Sequence, residues 1–116
     1  MKPIIITFIV MFSAWPSLAA DAQIQSEIDH LMRFIHSSNC AFIRNGKAYS
    51  ADEALEHIQK KYDHFKYRIQ STEDFIDYCA SKSILTDQAY KIDCPDQDVV
   101  ESKLWLLQEL KRFRNN

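Results

Sequence analysis

Histidine and carboxylate side chains are the groups with which this sequence could hold a metal ion or transfer protons, and their spacing argues against both. His57 and His64 lie seven residues apart on one predicted helix, whereas zinc takes three or four ligands and usually includes a closely spaced pair. We therefore interpret the histidines as exposed or hydrogen-bonded helix residues. The acidic group Glu73, Asp74 and Asp77 opens another predicted helix, where the helix dipole favours negative charge.

Nucleophilic catalysis also lacks its usual motifs. Ser81 and Ser83 have no elbow glycines beside them, and Gly46, the single glycine of the chain, cannot form a phosphate-binding loop. We predict no catalytic residues, no metal and no cofactor. Because a catalytic triad is recognised by geometry and not by sequence order, a small hydrolase or ligand-processing enzyme stays open as the alternative to a non-catalytic binding or envelope-accessory module.

A group of cationic and aromatic side chains is the strongest candidate for a ligand site. We expect them at one end of the predicted sheet, where they suit the capture of a small anionic ligand or of a protein partner. The residues are Arg44, Tyr49, Lys61, Arg68 and Tyr90. A structural alternative is a buried salt-bridge network in which Arg44 pairs with Glu73 or Asp74.

Amphipathic helices must position these side chains, and apolar residues recurring every three or four positions predict them. The first helix spans residues 22–37. Capping boxes at Ser50 and Ser71 open the second and third helices. The inward positions are Leu55, Ile58, Tyr62, Phe65 and Ile69 on the second helix, and Phe75, Ile76, Cys79 and Ala80 on the third.

A fourth helix is predicted over residues 99–113, with either Asp98 or Ser102 as its cap. Its apolar stripe is predicted to be Val100, Leu104, Leu107 and Leu110, with Trp105, Leu106 and Phe113 flanking it.

Strands are predicted where alternation replaces the helical period. Residues 40–44 end at Asn45-Gly46, which predicts a type I′ hairpin turn to residues 47–49 because both central positions need positive φ. Residues 90–94 alternate again before Pro95. The element order α-β-β-α-α-β-α predicts an α+β fold, with a small three-stranded antiparallel sheet packed on about four helices and residues 40–44 in its centre.

The three cysteines leave one unpaired. If the last strand runs antiparallel to the first, the register that places Cys40 opposite Cys94 also places Phe42 opposite Ile92. Since one register aligns both the thiols and the apolar residues, we predict a Cys40–Cys94 disulfide. Cys79 is then a free cysteine on a helical core face, which is common.

The N-terminus has the layout of a secretory signal: Lys2, an apolar run from Ile4 to Trp15, and small residues before Asp21. We predict a signal peptide over residues 1–20 and a single mature α+β domain over residues 21–116, periplasmic or secreted. Removing Lys2 changes the formal charge of −2 to −3, which argues against nucleic acid as a partner and against the membrane after signal cleavage.

The mature part also resembles a family of small exported bacterial proteins of unknown function, the YfeK-like proteins. The resemblance rests on residues 42–46, Ala54, residues 57–58, 61–62, 68–69, 71–76, 81–83 and 89–90. It implies export and an α+β fold, and it carries no activity.

Overall fold

The computed structural model describes residues 3–7 and 18–116. Of the predicted signal peptide, residues 1–2 and 8–17 lie outside this part of the chain. No described helix is long and apolar enough to cross a membrane. The first described helix begins at Leu18, ahead of its predicted start.

Four α-helices are described: α1 Leu18–Ser37, α2 Ala51–Phe65, α3 Thr72–Cys79 and α4 Ser102–Arg114. The capping box at the start of α2 is confirmed, since Ser50 and Glu53 bond each other's backbone amides reciprocally. At the start of α3 only half of the predicted capping box forms: the Ser71 hydroxyl accepts from the amide of Asp74, but the Asp74 carboxylate accepts from the amide of Gln70 and not from that of Ser71. α2 ends earlier than predicted, because a 3₁₀ turn, Lys66–Arg68, follows it.

The described residues form a four-stranded antiparallel sheet, not the predicted three-stranded one. Its strands are β1 Ala41–Arg44, β2 Lys47–Tyr49, β3 Lys91–Asp93 and β4 Val100–Glu101, in the order β2-β1-β3-β4. The predicted central position of β1 is confirmed. Phe42 lies opposite Tyr49 on one side and Ile92 on the other, as the register argument requires. Asn45 and Gly46 both have positive φ in the hairpin turn.

The additional strand, β4, consists of residues that we expected to begin the last helix. Val100 pairs with Ile92 of β3, and the amide of Ser102 donates to the carbonyl of Tyr90. The valines at positions 99 and 100 are β-branched and favour extended backbone. Pairing with β3 therefore delays the helix until Ser102.

The predicted apolar stripe of α4 was wrong in its phase. Val100 and Leu104 are 41% and 60% exposed, whereas Leu106, predicted only to flank the stripe, is buried. Of the predicted stripe, Leu110 is buried and Leu107 is half-buried. Neither Asp98 nor Ser102 is the N-cap, which is Glu101 without a capping side-chain bond. Ion pairs between α1 and the C-terminal half of α4 hold the helix in this rotation.

The core lies between the helices and the inner face of the sheet. The inward positions predicted for α3 are confirmed. Of those predicted for α2, Ile58 is buried, whereas Leu55, Tyr62, Phe65 and Ile69 are only partly buried. Helix α1 also contributes to the core. The most buried apolar residues are Leu31, Ile35, Phe75, Ile76, Ile92 and Leu106. The predicted Cys40–Cys94 disulfide is formed, and Cys79 is free and buried.

A buried carboxylate joins α4 to α1 and α3. Glu27, which is 2% exposed, accepts hydrogen bonds from Arg114 at 2.7 and 3.0 Å and from the Thr72 hydroxyl at 2.6 Å. Arg114 also pairs with Glu73 at 2.6 Å. A second link joins His30 of α1 to Glu109 of α4 at 2.6 Å. These contacts tie the C-terminal end of the chain to the core.

Candidate functional site

A cavity of about 240 Å³ lies between the β1–β2 hairpin and α2. Its apolar lining residues are Phe42, Ile43, Ala54, Ile58 and Ala80. Its polar lining residues are Arg44, Tyr49, Glu53, Glu56, His57, Lys60, Tyr90 and Ser102. The hairpin turn brings Arg44 and Tyr49 together. Tyr90 directly precedes β3 and lies at the same end of the sheet. The local turn and the strand register therefore build this cavity.

Hydrogen bonds connect the polar side chains of the cavity in a chain. Arg44 donates from Nη1 to Nδ1 of His57 at 2.6 Å and from Nη2 to the Tyr49 hydroxyl at 3.2 Å. Nε2 of His57 lies 3.1 Å from the Tyr90 hydroxyl. Lys61 donates from Nζ to the same hydroxyl at 2.9 Å and to the carbonyl of residue 82 at 2.8 Å.

The direction of these bonds follows from the guanidinium, which can only donate. Nδ1 of His57 is therefore an acceptor, and the neutral ring carries its proton on Nε2 and donates it to Tyr90. The Tyr90 oxygen accepts from both His57 and Lys61, and its own proton has no acceptor among the described residues. The phenol is thus free to donate to a ligand.

Burial and neighbouring charge shift the titration of the cluster. Burial, followed by the charges of Arg44 and Lys61, lowers the pKa of His57 from 6.5 to about 4. Burial also lowers the pKa of Lys61 and raises that of Tyr90. At neutral pH the imidazole is therefore uncharged.

Neither Arg44 nor Lys61 has a carboxylate within 4.0 Å among the described residues. The structural alternative for Arg44 was wrong: Glu73 pairs with Arg114, and Asp74 accepts from the backbone amide of Gln70. Arg44 and Lys61 instead lie over aromatic rings, each 4.8 Å from a ring centroid, those of Tyr49 and Tyr90 respectively. Arg44 in the cavity wall and Lys61 behind it therefore have no direct carboxylate partner, although Glu53 and Glu56 also line the cavity.

Three of the five predicted residues, Arg44, Tyr49 and Tyr90, line the cavity, and Lys61 joins them through its bond to the Tyr90 hydroxyl. Arg68 lies exposed on the 3₁₀ turn away from the cavity. Sequence reasoning missed His57 as a member of the site, although its hydrogen-bonded state matches our interpretation. The available signal was its spacing of four residues from Lys61, which places both on one helix face. Within residues 3–7 and 18–116, no group of three or more His, Cys, Asp or Glu side chains is arranged to hold a metal ion.

Comparison with known proteins identifies the family. Residues 22–114 match the model of a family of unknown function, DUF5329. The chain belongs to this family. It is also 30% identical over 88 residues to the uncharacterized protein YfeK of Salmonella typhimurium, a match that covers 74% of this chain and 71% of that protein. The predicted resemblance is thereby confirmed. No solved structure matches the chain.

Proposed function

We propose that this DUF5329 member is an exported, non-catalytic binding module that holds a small anionic ligand in the cavity beside Arg44. The observation that carries the proposal is the guanidinium of Arg44, which lies in the cavity wall without a carboxylate partner among the described residues. Placing a charge in a partly buried site without a counter-charge costs free energy. An anionic ligand would supply that counter-charge.

The hydrogen-bonding capacity of the site supports an anion. A guanidinium has more N–H groups than the two that Arg44 donates to His57 and Tyr49, and its planar fork suits a carboxylate. The free proton of Tyr90 adds a neutral donor nearby. Arg44 also cannot move freely, because His57 and Tyr49 hold its guanidinium in place.

Binding is favoured over catalysis by the state of His57. Both of its ring nitrogens are engaged in hydrogen bonds, and its pKa of about 4 makes it a weak base at neutral pH. A hydrolase using this cavity would need another general base. The same contacts that weaken His57 as a base make it a rigid support for Arg44.

Three observations support export. The N-terminal layout is that of a secretory signal. A Cys40–Cys94 disulfide is stable in an oxidising compartment. The family match begins at residue 22, directly after the proposed cleavage point. N-terminal sequencing of the protein recovered from the periplasm or medium should begin at Asp21, and an intact Met1 on the recovered protein would contradict export with cleavage.

The binding proposal is tested by NMR titration of the exported protein with benzoate and with inorganic phosphate at pH 7. We expect benzoate to shift the signals of Arg44, His57 and Tyr90. The variant Arg44→Ala should lose these shifts while keeping a folded spectrum. Arg68→Ala removes the same charge away from the cavity and should bind like wild type. Equal binding by both variants, or no binding by wild type, would contradict the proposal.

A further inference from the structure

Charges of both signs line the cavity, and they are ordered along α2. Glu53 and Glu56 lie toward the start of the helix, and Lys60 lies one turn further along. Arg44 and Tyr90 approach His57 from the sheet side. The cavity therefore has an acidic end toward the start of α2, where Glu53 lies roughly one helical turn before His57, a rise of about 5.4 Å, and a cationic end beside His57, which Arg44 contacts.

The charges at the rim are available to a ligand. Glu56 and Lys60 are four residues apart in the orientation that favours an ion pair, yet neither makes one with any described residue. Glu53 uses Oε1 in the capping box with Ser50, and its other carboxylate oxygen makes no hydrogen bond among the described residues. Two carboxylates thus face the cavity with free acceptor capacity.

We infer that the ligand is a small zwitterion, a free amino acid with an apolar side chain. This inference rests on the proposed binding function and names its ligand class. Arg44 and the Tyr90 hydroxyl receive the carboxylate, and Glu53 and Glu56 receive the ammonium. A simple carboxylate would satisfy the cationic end alone and would leave the acidic end facing another negative charge.

The apolar lining of the cavity selects the rest of the molecule. It includes Phe42, Ile58 and Ala80, and Phe42 and Ala80 are 7% and 1% exposed. A hydrocarbon side chain placed there is removed from water, which is favourable in proportion to its buried area. A charged side chain placed there would lose its hydration without a partner.

The volume of the cavity suits a ligand of this size. At about 240 Å³ it is smaller than the ~300–1,000 Å³ of sites for drug-sized ligands. One amino acid fits such a space.

A screen by thermal shift followed by calorimetry tests the inference on the exported protein. Alanine, valine, leucine, methionine and phenylalanine are screened as both enantiomers, and at least one is expected to bind. If leucine binds, its matched analogues are 4-methylpentanoate, which lacks the ammonium, and leucinamide, which lacks the carboxylate. Each loss should weaken binding by roughly tenfold or more, since each removes a charged hydrogen bond.

Variants separate this inference from the function on which it rests. Glu56→Gln should weaken leucine roughly tenfold and should not weaken 4-methylpentanoate. Asp63→Asn, on the exposed side of the same helix, should change neither. If 4-methylpentanoate binds as tightly as leucine, and only Arg44→Ala weakens it, the zwitterion is overturned while the anion site stands. If no amino acid and no carboxylate binds, both proposals fail.

Discussion

Replacing Glu27 by glutamine should remove a defined part of the acid sensitivity of this fold. Glu27 is 2% exposed. The hydrogen bonds from Arg114, more than any other contact, lower the pKa of Glu27 from 4.5 to about 2, although burial acts in the opposite direction. Glutamine keeps the shape of the side chain and its ability to accept from Thr72, but it removes the charge.

The size of the effect follows from the linkage between protonation and folding. Because the pKa is lower in the folded state, the unfolded chain binds more protons between pH 2 and pH 4.5, so stability falls as pH drops through that window. One pKa unit corresponds to about 1.4 kcal/mol, which sets an upper value of about 3 kcal/mol. Arg114 is 42% exposed, and screening by solvent reduces the contribution. We expect about 1–3 kcal/mol at pH 7, or roughly 5–15 °C in Tm.

Urea unfolding followed by circular dichroism at pH 7, 5, 3 and 2 measures this contribution. The difference in unfolding free energy between wild type and Glu27→Gln should be largest at pH 7 and 5 and should shrink toward pH 2. Asp29→Asn changes an exposed acid of the same helix and should show no such trend. A wild-type advantage that stays constant from pH 7 to pH 2, or is absent throughout, would refute the reasoning.

Two further predictions concern the cavity and the cysteines. NMR titration of His57 should give a pKa of about 4, and Arg44→Ala should raise it toward 6.5 because one of the charges that disfavour the imidazolium is removed; a wild-type value near 6.5 would contradict the described cluster. In urea without reductant, an alkylating agent should label Cys79 alone. Replacing both Cys40 and Cys94 by alanine should lower the unfolding free energy by about 4 kcal/mol, because the disulfide closes a loop of 54 residues. Labelling of either paired cysteine, or a loss well below 1 kcal/mol, would contradict the disulfide.

Much of the site was predictable because its positioning depends on local chemistry. The Asn45-Gly46 turn requires positive φ at both residues. It places Arg44 at the end of β1, next to the turn, independently of distant parts of the chain. His57 was not predicted as a site residue, since its partners Arg44 and Tyr90 are distant in sequence. Only their convergence in the fold gives the ring two hydrogen bonds and shields part of it from water.

The sequence by itself determined the helix starts at Ser50 and Ser71, the hairpin, and the strand register that pairs the cysteines. The helix starts and the hairpin depend on local backbone preferences. The strand register depends on a side-chain period of two, so a shift of one residue would expose the apolar face of the sheet. Tertiary structure alone decided the rotation of α4 and the partner of Glu73. Apolar residues lie on more than one face of α4, so its own pattern permits more than one rotation. The ion pairs of Glu109 and Arg114 with α1 select the observed one.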